Sequence, residues 1–151
     1  MDHHFYMGEA LAEALKALEL GEVPIGAVVV EEGRIIARAG NRRETWADPT
    51  AHAEIIALRE AARSRGNWRL DGVTIYVTLE PCPMCAGALV QARVKRLVYG
   101  APDFKAGAVD SVINLVENRH FDHQLEVISG IREDECRQLI KSFFQEVRRD
   151  G

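Results

Sequence analysis

Residues 50–54 read Thr-Ala-His-Ala-Glu and residues 80–85 read Glu-Pro-Cys-Pro-Met-Cys. As patterns these are H-x-E followed by P-C-x-x-C, and they constrain the chain more than any other feature. His52, Cys82 and Cys85 offer one imidazole and two thiolates, the donor types that zinc takes. Structural zinc sites are closed by four protein ligands, whereas catalytic ones keep a position for water or substrate, so three donors point to an open site. Glu54 is a poor fourth ligand, because residues two apart in a regular helix are separated by about 200° around the axis. It reaches in from the side, where a carboxylate can move protons on and off water as a general acid and base.

The rest of the chain reads as one domain, residues 1–151, with enough apolar content (47%) to bury a core. Met7, Leu11, Leu15 and Leu18 recur at helical spacing and predict a first helix with that face in the core, ended at Gly21. His3 and His4 read as unstructured terminus. Two β-rich runs, 25–31 and 34–39, joined at Glu32-Gly33, predict a hairpin. Asn41 follows as a turn residue. Pro49-Thr50 supplies a stop and a cap for a helix with His52 in its first turn, running towards Gly66. Residues 73–78 alternate like a strand, and Pro81 and Pro83 suit a second strand-to-helix junction. There Cys82 and Cys85, three apart, share one helical face, and the helix start favours thiolate. Strands at 96–99 and 125–128, a short helix at 110–115 and a final helix striped by Cys136, Leu139, Ile140, Phe143 and Val147 complete the expectation.

Other classes are weighed against this reading. A redox pair is the second use of C-x-x-C, but the upstream H-x-E has no role in thiol exchange. A zinc-stabilised module without catalysis has no use for a glutamate beside an open site. The start of the chain lacks a basic stretch followed by an apolar run, and no run is long enough to span a bilayer, so a cytoplasmic protein with no membrane partner is expected. The net charge of −4 argues against broad electrostatic binding of nucleic acid. Basic residues nevertheless flank both motifs, from Arg42-Arg43 to Lys95-Arg96.

H-x-E with P-C-x-x-C is the signature of the zinc-dependent nucleobase deaminases. Beyond it, residues 23–27, 48–54, 77–88, 99–108 and Ser142-Phe143-Phe144 together resemble the bacterial tRNA-specific adenosine deaminases over nearly the whole chain. The stretch 101–108 and the final helix carry the resemblance to the tRNA branch, since the zinc core is shared by all cytidine deaminase-like enzymes. The resemblance implies an α/β fold, a three-layer α/β/α sandwich around a mixed five-stranded sheet. It implies a homodimer with one zinc ion per subunit, and hydrolytic deamination of adenosine to inosine at the wobble position of a tRNA anticodon stem-loop. Glu54 is then catalytic and His52, Cys82 and Cys85 hold the metal. Asn41, Ala53, Pro81, Asp103, Asp122, His123 and Phe144 meet the substrate, with Arg148 and Arg149 beyond Phe144. Asp122 stands where the family pattern has Asn, and Gln145-Glu146 make the tail less basic than in some relatives. A deaminase of the same fold acting on a free base or nucleoside, such as guanine, cytosine or cytidine, is the alternative.

Overall fold

The computed structural model describes residues 1–150, the side chains of Arg149 and Asp150 excepted. Five strands form one mixed sheet: β1 (Gly26–Glu31), β2 (Arg34–Gly40), β3 (Thr74–Leu79), β4 (Arg96–Ala101) and β5 (Glu126–Ile128), in the order β2-β1-β3-β4-β5. β1 runs antiparallel to both β2 and β3, while β3, β4 and β5 are parallel. The hairpin turns where expected, on Glu32 and Gly33, both at positive φ (47° and 76°), the conformation that a tight two-residue connection demands.

Four helices cover the sheet: α1 (His3–Glu19), α2 (Ala53–Arg65), α3 (Pro83–Gln91) and α4 (Glu133–Asp150). Alternation along the strands divides the core between two faces. Val29, Ile75, Val77, Leu97 and Tyr99 pack with Ile56, Ala57 and Leu58 of α2 and Leu89 of α3. Val28, Val30, Tyr76 and Val98 pack with Met7 and Leu11 of α1 and Cys136 of α4. The result is the expected α/β/α sandwich. Because both faces are covered, β3 is buried along nearly its whole length.

Several expectations are corrected. His3 and His4 are not loose terminus but open α1, which Asp2 caps by accepting a hydrogen bond from the N–H of Phe5. His3 Nδ1 lies 2.7 Å from the Tyr76 hydroxyl, which ties that end to the sheet. In α1 the buried stripe is Met7, Ala10, Leu11, Ala14 and Ala17, and Leu15 is exposed. The helix lies against glycine backbone: a methyl at Gly26 would come within 2.0 Å of the Ala10 carbonyl oxygen, and one at Gly40 within 2.8 Å of that of Glu13. Small side chains make such an approach, and larger ones point elsewhere. Residues 110–115 do not form a helix: the N–H groups of Val112 and Ile113 donate to the Gly107 carbonyl and that of Leu115 to the Ala108 carbonyl, outside the i to i−4 pattern. Thr50 does not cap α2; its N–H and hydroxyl both donate to Asp48.

Candidate active site

The cap of α2 is His52 itself, with extended backbone (φ −74°, ψ 152°), so it precedes the first turn and does not belong to it. Cys82 is the corresponding cap of α3 (φ −74°, ψ 173°), followed by Pro83 at the first helical position. Neither side chain makes a capping hydrogen bond to its own helix. Both are turned instead towards a common point. Cys85, in the first turn of α3, completes the group: His52 Nδ1 lies 3.6 Å from Cys82 Sγ and 3.5 Å from Cys85 Sγ. Among the described residues these three form a group able to hold a metal ion, their donor atoms all within 4.8 Å of one another. Two helix N-termini, with the positive ends of their dipoles, face it.

Glu54, two residues past His52, is not a member of that group. It is only 4% exposed. Burial pushes its carboxyl up to about 7, with the Cys82 charge adding and the His52 ring opposing. The thiols behave as a pair. A hydrogen bond from Cys85 brings Cys82 down to about 4, while the proton held against Cys82 pushes Cys85 up. The hydrogen bond to Cys82 likewise raises His52 against the opposing effect of burial. Each sulfur's charge thus works against the other's. A cation between them is what allows both to be thiolates.

A cavity of about 530 Å³ opens beside His52, within the size range of small-ligand sites. Asn41, His52, Ala53, Asp103 and Phe144 line it, so the structure brings together most of the residues expected to meet substrate. Asn41 Oδ1 accepts from the N–H of Arg43, as a turn residue does, and Asn41 also lines the cavity. Pro81 is buried and offers its carbonyl to the N–H of Ala108. Asp122 and His123 are not in the lining. The His123 ring bonds the Val94 carbonyl at 2.7 Å, at the end of β4 opposite to Asp103, and β4 is about 17 Å long at ~3.3 Å per residue. Arg148 lines the cavity, and the side chain of Arg149 lies outside the described residues.

The remaining wall was not singled out by the motifs. Arg43 and Lys105 bring positive charge, and Phe104 stands 79% exposed at the rim. Two buried carboxylates hold the loops from which these residues project. Glu22 accepts hydrogen bonds from the N–H groups of Glu44 and Thr45 and from the Thr45 hydroxyl. Glu80 binds the loop after β4. Burial works against its charge, but donors from Asp110, Ser111 and Asp103 hold it below the usual carboxylate range. A glutamate beside P-C-x-x-C is the only signal the sequence offers for Glu80, because its partners are mostly backbone N–H groups.

A mixed five-stranded sheet, a histidine and two cysteines able to hold a metal at two helix starts, and a buried glutamate beside them define the class, a deaminase of the cytidine deaminase-like fold. The profile of the MafB19-like deaminase family matches residues 1–148. The tRNA-specific adenosine deaminase of Bacillus subtilis is 54% identical over 144 residues, 95% of this chain and 89% of its own. A structure from a study of A-to-I editing by tRNA:A34 deaminases at the wobble position of transfer RNA superposes with a TM-score of 0.86 at 49% identity, covering 89% of this chain and 98% of that one. A guanine deaminase from Bacillus subtilis is more distant, with a TM-score of 0.65 and 34% identity over 76% of this chain and 84% of its own. The chain belongs to the tRNA-specific adenosine deaminases.

Proposed function

We propose that this chain hydrolyses adenosine to inosine at the wobble position of tRNA anticodons, with zinc held by His52, Cys82 and Cys85. Zinc–sulfur bonds of ~2.3 Å and zinc–nitrogen bonds of ~2.0–2.1 Å at a tetrahedral angle set sulfur and nitrogen about 3.5–3.6 Å apart. The separations of 3.5 and 3.6 Å across the site support that fit. Bound there, zinc supplies the Lewis acidity that makes water a nucleophile at neutral pH.

Glu54 then does the proton work. Its carboxylate takes a proton from the attacking water as the oxygen bonds C6 of the adenine. It passes that proton to the ring nitrogen, then takes the second proton from the new C6 hydroxyl and delivers it to the departing amine, so that adenosine and water become inosine and ammonia. Asn41 and Ala53 line the wall against which the base is held. The base must leave its stack to reach this depth, at a cost of a few kcal/mol that is least in a single-stranded loop.

The observation that carries the RNA reading is the mouth of the cavity. Exposed Phe104 and Phe144 stand beside Arg43, Lys105 and Arg148, and aromatic rings with cations are what unstacked bases and phosphates bind. A pocket for a free base has no use for them. The proposal extends to a cytoplasmic homodimer. A tRNA substrate supports the compartment, and the resemblance to the tRNA-specific adenosine deaminases supports the homodimer. Sedimentation at several protein concentrations reads the dimer directly.

The purified, zinc-loaded protein is assayed on an RNA anticodon stem-loop with adenosine at the wobble position, beside free guanine, cytosine, cytidine and adenosine. Inosine in the stem-loop alone is expected. Conversion of a free base or nucleoside with the stem-loop untouched would move the activity to small-molecule salvage.

A further inference from the structure

Glu80 directly follows β3, just ahead of Pro81 and Cys82, and is 2% exposed. No ion pair among the described residues includes it. A buried carboxylate without a cation survives only if hydrogen bonds replace its water. Here five do. Oε1 accepts from the N–H of Asp103 (3.0 Å) and from the Ser111 hydroxyl. Oε2 accepts from the N–H groups of Val109 (3.1 Å), Asp110 (2.8 Å) and Ser111 (3.0 Å).

All five donors belong to the segment 103–111 of the loop after β4, and they come from both ends of that segment. Between them the loop projects Phe104 and Lys105 into the cavity rim, and Asp103 lines the same wall. Phe104 is largely exposed, so apolar packing does not place this stretch. Two further contacts reinforce the hold from below: Ala108 N–H donates to the Pro81 carbonyl at 2.8 Å, and the Tyr99 hydroxyl donates to Asp110 at 2.6 Å. At Gly107 a methyl would fall 2.4 Å from the Glu80 carboxyl carbon and 2.5 Å from the Asp103 carbonyl oxygen. The loop can close over Glu80 only with glycine there.

We propose that Glu80 is a positioning residue for the RNA substrate: it ties the Asp103–Lys105 wall to the strand end that delivers Cys82, holding substrate contacts and metal ligands in one register. The inference rests on the tRNA reading above, and it assigns to Glu80 an effect on substrate engagement and none on metal capture.

Glu80→Gln removes the charge and turns donors against donors. Gly107→Ala leaves the carboxylate intact and pushes the loop off it. Steady-state kinetics on the wobble-adenosine stem-loop, zinc content, and amide hydrogen exchange over residues 103–111 are measured for both variants and the wild type. Both variants are expected to raise KM roughly tenfold or more, a loss of the kind expected when a charged acceptor's hydrogen bonds are broken. Zinc stays at the wild-type level, kcat moves far less than KM, and exchange quickens at 109–111. Unchanged KM in Gly107→Ala with quickened exchange would overturn the proposal, as would a fall in kcat in step with loss of zinc. Gly107→Ala decides the matter if Glu80→Gln does not fold. Wild-type protein that leaves the stem-loop untouched contradicts the tRNA reading instead, and in that event unprotected amides at 109–111 in the wild type would still overturn the anchor.

Discussion

The carboxylate of Glu22 accepts two hydrogen bonds from Thr45, one from its N–H at 2.6 Å and one from its hydroxyl, across a separation of 23 residues. Glu22 is fully buried. Burial alone would raise its pKa, but the Thr45 and Glu44 donors and the nearby Arg42 charge outweigh it, and the group ionises below its ordinary value of 4.5.

The sign of the pH effect follows. A carboxyl whose folded pKa is depressed adds stability that is fully present above the unfolded value, near 4.5, and is lost as pH falls through the folded one. Glu22→Gln should therefore be less stable at neutral pH by about 2 kcal/mol, the scale of hydrogen bonds to a charged group. The difference from wild type should shrink on acidification below about pH 4.5. Urea unfolding at pH 7 and pH 4 measures it. A deficit that is constant across both would place the stabilisation outside this carboxylate.

Gly26→Ala tests the packing of α1. The added methyl meets the Ala10 carbonyl oxygen at 2.0 Å and the Ala14 nitrogen at 2.5 Å, backbone atoms that cannot rotate away. The substitution should cost about 3 kcal/mol, the upper end of overpacking effects. It is read as a lowered urea midpoint. A wild-type midpoint would mean that α1 sits farther from β1 than the structure places it.

Arg148→Ala tests the mouth. Arg148 is exposed and lines the cavity with Phe144, so its contact with RNA is expected at phosphate. Stem-loop affinity should fall about fivefold, on the order of 1 kcal/mol, and the slope of log affinity against log salt should lessen by about 0.7. Lost affinity with an unchanged slope would make the contribution apolar packing along the side chain.

The parts of the molecule legible in the sequence are those whose cause is local. The hairpin follows from Glu32-Gly33, the strands from alternation, and the metal group from the spacing of Cys82 and Cys85 with His52. What escaped has distant partners without a residue signature. Glu80 binds backbone N–H groups 23 to 31 residues away, and any residue type but proline supplies those. At 110–115 the amide that a helix would have needed, that of Leu115, goes to the Ala108 carbonyl instead. The apolar stripe of α1 misled at Leu15 because the close approach to Gly26 is made by alanines, which carry a weak periodic signal. His52 reads as a first-turn residue because histidine is an uncommon cap, and it fills that position with its side chain turned to the metal group instead of the helix.

The central claim is that three residues hold the metal and Glu54 moves the protons. Zinc content and inosine yield on the wobble-adenosine stem-loop, measured on the same preparations of wild type, Glu54→Ala and Cys82→Ala, test it most directly. One zinc per chain with inosine is expected for the wild type. Glu54→Ala should keep its zinc and lose turnover by a factor of about 100 or more, and Cys82→Ala should lose both. A zinc-free Glu54→Ala would make Glu54 a fourth ligand and contradict the open site.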